Sequence, residues 1–227
     1  DNARIVYTEF PENGMIPGKI SFDRMNVALY PFHLSKEGEP FPIEEIFLLA
    51  NAKLNAQADL NMQGHLFFEK PYPMKISAQM GEFDLEYLNS ILESNAFVRV
   101  RSGKIHGADW SFSADNNEAI GRMVLLYSDL KLDLLDERTL ERGTGRKSIL
   151  TFVLNTFAVR SNNPRRYLRK PISSTIYQPR DSERFIFNYW WTATLSGLKG
   201  SLGLGQPRVP KKRKQEAEER RREEEEQ

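Results

Sequence analysis

The segment FVRVRSGKIHGADWSFSADNNEAIGRMVLLYSDLKLDLL, residues 97–135, alternates apolar and polar side chains on either side of a polar turn. Ala108, Trp110, Phe112 and Ala114 fall on one face and Asp109, Ser111 and Ser113 on the other, the two-residue period of a half-buried strand. Asp115, Asn116 and Asn117 supply turn chemistry. Beyond them Ala119, Gly121, Met123, Leu125 and Tyr127 share a face, followed by Leu130, Leu132 and Leu134. The apolar phase moves from odd to even positions between Tyr127 and Leu130, which predicts a β-bulge there. Two long strands joined by a tight turn make an antiparallel hairpin, and nothing in it forms a reaction centre.

The same period extends towards the amino terminus. In residues 51–63, Ala52, Leu54, Ala56, Ala58, Leu60 and Met62 alternate with polar neighbours, which predicts one strand roughly 40 Å long at about 3.3 Å per residue. Met74, Ile76, Ala78 and Met80 repeat the pattern after the loop bounded by Pro71 and Pro73. Residues 2–10 and 19–29 read as further strands, the second with a phase slip near Arg24 and Met25. Between the strands, Leu85, Leu88, Ile91 and Leu92 stand at helical spacing behind a possible cap at Asp84, predicting a short helix over about 84–94 that covers the sheet.

After residue 135 the character changes. A charged loop leads to residues 149–159, readable as helix behind Ser148 or as strand. Ser161, Asn162, Asn163 and Pro164 form a turn, and the Arg- and Pro-rich stretch 165–184 reads as irregular. Phe187, Trp191, Leu195, Leu198 and Leu202 then recur at steps of three or four, with Tyr189 and Trp190 widening the stripe, so residues 184–204 are expected to be an amphipathic helix capped by Asp181 or Ser182. Adjacent tryptophans near arginines suit a membrane interface, whereas docking on an open sheet serves the same stripe equally well. Phe187, Trp190, Trp191, Leu195 and Leu198 are the candidates for membrane or partner contact. Residues 206–227 form a charged tail with the basic cluster Lys211–Lys214 and no apolar face. Three regions follow: 1–135 an antiparallel β-groove with one short helix, 136–205 a loop and helical cap, and 206–227 the solvated tail.

With 32 Lys and Arg against 31 Asp and Glu, there is no global charge to mark a nucleic-acid binder. Cysteine is absent, which excludes disulfides, thiolate metal sites and a cysteine nucleophile. His33, His65 and His106 lie on separate segments without metal-ligand spacing. No nucleophile elbow, dinucleotide fingerprint or phosphate loop occurs, so neither catalytic residues nor a cofactor or metal are assigned. The chain opens at Asp1 without an apolar run, and a targeting segment is expected upstream.

The segments GKISFDRMNVAL, AKLNAQADLNMQG, ISAQMGEFDLEYLNSIL and SGKIHGADWSFSADNNEAIGRMVLLYSDLKLDLL, followed by SNNP at 161–164 and FNYWWTATLSGLKGSLG at 187–203, resemble in their order the carboxy-terminal region of AsmA/TamB-like envelope proteins of the Bacteroidetes type. The resemblance runs to about Gly205. It implies a non-enzymatic periplasmic protein, anchored in the inner membrane by an upstream helix. Its long antiparallel strands would curl into an apolar groove, with short helices capping it, that shelters phospholipid acyl chains between two membranes. Each sheltered methylene would save about 0.8 kcal/mol of water exposure. On that reading the candidate lining residues are Leu54, Ala56, Ala58, Leu60, Met62, Ile76, Met80, Trp110, Phe112, Met123 and Leu125. The competing reading is a structural or assembly module of the envelope whose sheet face is filled by its own helices.

Overall fold

All adjacent strands in the computed structural model pair antiparallel, giving a nine-stranded open sheet. The structure describes residues 1–10, 16–31, 44–136, 141, 161–165, 170–210 and 213. The strands are β1 (Ala3–Glu9), β2 (Gly18–Tyr30), β3 (Glu45–Leu54), β4 (Ala58–Phe67), β5 (Met74–Met80), β6 (Phe83–Asp84), β7 (Val98–Ala114), β8 (Glu118–Leu134) and β9 (Ser173–Pro179). They follow one another as a meander, in the order β1-β2-β3-β4-β5-β7-β8-β9, with the two-residue β6 pairing β7 beyond the end of β5. Among the described residues, two helices pack with these strands: α1 (Asn89–Ala96), entered through a 3-10 turn at Leu85–Leu88, and α2 (Ile186–Leu202).

The central hairpin forms as its alternation predicts. β7 and β8 are 17 residues each, and the Asp115 carboxylate shapes their turn by accepting the amides of Asn117 (2.7 Å) and Glu118 (3.1 Å). The bulge falls where the apolar phase slips: Ser102 pairs with Lys131 and Lys104 with Ser128, leaving Asp129 (φ 56°) and Leu130 between them. The slip in β2 is likewise a bulge, with Arg24 at φ 52° between the pairs Asp23–Lys53 and Asn26–Asn51. An unpaired residue restores the inward phase without ending the strand.

Residues 51–63 are not one strand. They fold back at Asn55–Gln57 into the β3–β4 hairpin, and Leu54 pairs directly with Ala58. A three-residue connection leaves the even positions of both arms on the same face, so the two-residue period passes through the turn unaltered and conceals it. Asn55 is the residue that makes the turn. At φ 48° it exchanges backbone and side-chain hydrogen bonds with Ser21 (both 2.8 Å), and its Nδ2 donates to the Tyr87 carbonyl (2.8 Å).

Ala56 follows at φ 57°, exposed, in a conformation that disfavours any residue with a Cβ. Ala56→Gly is therefore expected to stabilise the protein. About 1–2 kcal/mol of left-handed strain is relieved, against about 0.4–1 kcal/mol of added unfolded-state entropy. Urea denaturation reads the difference, and a loss of stability would show that the turn is unstrained.

Two further expectations change. The stretch 165–184 contains β9, whose Ile176 and Ser174 point inward and whose register with β8 ties it into the same sheet. Flanking arginines and prolines hide a strand that only a partner reveals. Helix α2 begins at Ile186, with Phe185 in the cap position. Asp181 instead accepts the Glu183 amide (3.0 Å) in a local turn, and Asp84 makes no capping hydrogen bond for the short helix. The stretch 149–159 and nearly all of the charged tail lie outside the described residues. Arg213, which is described, pairs with Glu118 at 2.8 Å.

Candidate functional site

The concave face of the sheet carries most of the lining residues that the sequence singled out. Its floor is built from the inward positions of successive strands: Ile20 and Phe22 of β2, Leu54 and Ala58 at the β3–β4 turn, Ile76 of β5, Phe112 of β7, Met123 and Leu125 of β8, and Ile176 of β9, all buried. Leu85, Leu88, Ile91 and Leu92 cover one part of this floor, seated between β2 and β7. The contact is close: a Cβ on Gly18 would collide with the Ser94 hydroxyl and lie 2.8 Å from Ile91 Cδ1.

Helix α2 covers a second part, and it reaches both margins of the sheet. On β8 and β9, Gly197 brings the helix so near that a Cβ would lie 2.7 Å from Ile176 Cγ1 and 3.2 Å from Met123 Cβ. Ser174 seals this contact by donating to the Gly197 carbonyl (2.7 Å) and sharing a hydrogen bond with Ser201 (2.7 Å), while the Tyr127 hydroxyl donates to the Ser201 carbonyl (3.1 Å). The glycines that weaken α2 as a free helix are what let it lie against the sheet. At the far margin, Asn188 donates to the Tyr7 hydroxyl (2.7 Å) and Trp191 Nε1 to the Glu9 carboxylate (3.2 Å). Phe187 packs edge-on against Tyr7 and Phe22, with centroids 5.4 and 5.5 Å apart. Trp190 Nε1 points at Met74 Sδ (3.2 Å) in between. At its end, Gly203 (φ 81°) closes the helix, with the Leu204 amide donating to the Lys199 carbonyl (2.9 Å).

The sequence-derived lining residues thus divide. Leu54, Ala58, Ile76, Phe112, Met123 and Leu125 are buried under the helices. Leu60, Met62, Met80 and Trp110 pack against that core but stay partly open. Ala56 stands in the exposed turn, off the face altogether. Of the aromatic stripe, Trp191, Leu195 and Leu198 are buried, and Phe187 and Trp190 are partly buried against the same core. Sequence reasoning missed Tyr7, Glu9, Ser174 and Asn163. Asn163 is 2 % exposed and is hydrogen-bonded by both side-chain atoms; it was visible only as turn chemistry in SNNP.

Burial against α2 raises the Glu9 carboxyl above its ordinary pKa, with Trp191 and Lys199 only partly offsetting the lost hydration, and burial likewise lowers Lys199. A carboxyl raised on folding contributes stability below its ordinary range, and this is lost as pH rises through the folded value. Glu9→Gln keeps an acceptor for Trp191 and removes the charge. Its melting temperature at pH 7 is expected to exceed the parent's, with the gap closing as pH falls towards the ordinary glutamate range. A lower melting temperature at pH 7 would show that the Glu9 charge stabilises the contact.

Among the described residues, the histidines do not converge on this face. His65 contacts Glu45 (2.6 Å) and stacks between Phe47 and Phe67 (both 4.3 Å), whereas His106 contacts Ser128 (2.9 Å); His33 lies outside the described residues. Among the described residues there is no cluster of three metal-ligating side chains, and no helix is long and apolar enough to cross a membrane. Comparison of the chain with protein-family models, curated proteins and solved structures finds no match.

Proposed function

We propose that this chain is a non-enzymatic closing module of an AsmA/TamB-like envelope protein, one that ends an apolar β-groove by filling it with its own helices. The observation that carries this reading is the seat of α2, which touches β1 and β9 at opposite margins and occupies the space where an acyl chain would lie. The two margins also differ. The β9 amides of Thr175 and Tyr177 are taken up by Gln206 and Ser196, whereas β1 is exposed along most of its length, with Ile5 and Val6 open on opposite faces. A capped margin ends a sheet, and an uncapped one accepts another strand. The module would act in the periplasm, joined through β1 to the groove and through it to an inner-membrane anchor.

A second reading rests on Leu60, Met62, Leu66, Met80 and Trp110, which leave an incompletely covered apolar strip along β4, β5 and β7. There a single acyl chain could be sheltered beside α2. Native mass spectrometry of the chain purified from a bacterial envelope, alongside Leu60→Asp, separates the two. A closing module carries no phospholipid in either form; phospholipid bound by the parent and lost from Leu60→Asp would replace it with the sheltering reading.

A further inference from the structure

The outer face of the sheet holds a second, polar site. Across β4, β5 and β7 the register aligns Asn61, Gln79 and Asp109 in one row. The adjacent row runs Gln63, Ser77, Ser111 and Arg122 across β4, β5, β7 and β8. These side chains are exposed and line a shallow basin of about 330 Å³. That volume is at the small end of the range for small-molecule sites.

Several polar groups elsewhere on this face pair with one another. Asn26 donates to Asn51 (3.1 Å), Lys53 pairs with Asp59 (2.7 Å), Arg4 with Asp23 (2.8 Å) and His65 with Glu45 (2.6 Å). In the basin no such pairing occurs: among the described residues none of the side chains in the two rows makes a hydrogen bond or ion pair. Neighbouring strands stand about 4.8 Å apart and alternate residues about 7 Å along a strand, so amides, hydroxyls, one carboxylate and one guanidinium form a lattice of unspent donors and acceptors.

We propose that this basin binds a neutral oligosaccharide. Within the two rows Asp109 and Arg122 cancel in charge, and Lys75, one row further on, has an interaction of its own, so the lattice carries no net charge to draw a polyanion. Sugar hydroxyls both donate and accept, and so match side-chain amides that do the same. The rings of Tyr30, Phe47, His65 and Phe67 pack face against face beside the lattice, with His65 two residues beyond Gln63 on the same face, and their edges give it an apolar border. The site is independent of α2 and of the concave face.

The test is an NMR titration of the isotopically labelled chain with maltotetraose, cellotetraose and chitotetraose, following the side-chain amides of Asn61, Gln63 and Gln79. At least one sugar should shift these signals saturably at millimolar concentration. The double variant Gln63→Ala, Gln79→Ala should bind about tenfold more weakly while its backbone spectrum away from the basin stays unchanged. Absence of shifts with all three sugars overturns the proposal. So does equal affinity in the double variant, or a response to inorganic phosphate alone, which would make Arg122 an anion site.

Discussion

Asn163→Ala is expected to destabilise the protein by about 3–5 kcal/mol, a large part of the 5–15 kcal/mol by which domains are ordinarily stable. The Asn163 side chain donates to the carbonyls of Leu125 and Ile172 and accepts the Ile172 amide, each at 2.8 Å, while its backbone pairs in both directions with Tyr127. Truncation leaves these partners of a 2 % exposed side chain without their bonds, at about 1–3 kcal/mol for each group that stays dry. Asn163→Asp should be no better at neutral pH, since its carboxylate would face two carbonyls where an amide donated. Urea denaturation of the three proteins measures this, and an alanine variant within about 1 kcal/mol of the parent would show that water replaces the side chain. The effect should include loss of β9, because Asn163 fixes the approach of Ile172 to the first residue of that strand.

Gly197→Leu is the second large effect. Replacing Gly in a helix gains about 1 kcal/mol of intrinsic propensity, so a free helix would be strengthened. Here the new Cβ would lie 2.7 Å from Ile176 Cγ1, and three further carbons have no space between α2 and the sheet. Overpacking costs about 1–3 kcal/mol or more, and lifting α2 would also strain the Ser174 hydrogen bonds to Gly197 and Ser201. The steric term wins, for a net loss of about 2 kcal/mol. Trp191, 8 % exposed in the parent, should become wetter, and its fluorescence should move to longer wavelength. A variant as stable as the parent with unchanged emission would show that α2 is not held against Ile176 and Met123, and the closing-module reading would lose its basis.

Burial changes the meaning of the aromatic stripe. Phe187, Trp190 and Trp191 have the composition of a membrane-interface helix, and in the structure the Tyr7, Glu9, Phe22 and Met74 side chains meet them. The stripe records that a helix buries one face, without recording against what. Phe185, just before α2, is 76 % exposed and remains open to solvent.

The bulges at Arg24 and at Asp129 were readable because an inserted residue shifts the apolar phase, and phase is a local property of the chain. The β3–β4 turn was unreadable for the converse reason. Its odd-numbered connection preserves phase, and Asn55 alone hints at it. Strand β9 offers too few residues between its flanking prolines and arginines to show a period, and its identity comes from β8. The capping role expected of Asp181 or Ser182 failed because α2 starts only at Ile186 with Phe185 at its cap, and Asp181 accepts the Glu183 amide instead.

The polar basin illustrates the same division. Each of its side chains was visible as the outward half of an alternating pair, but their alignment across four strands depends on register.

By itself, the sequence determined that this protein is made of long antiparallel strands with one apolar face, together with helices that carry an apolar stripe, since backbone geometry imposes periods of 2 and 3.6 wherever a face is buried. Which face became concave, and what came to fill it, was settled only by tertiary structure. The decisive contact, Asn188 on Tyr7, joins residues 181 positions apart. No local pattern can specify such a meeting, because it exists only once eight strands have paired in order and curved far enough to bring β1 to the helix that follows β9.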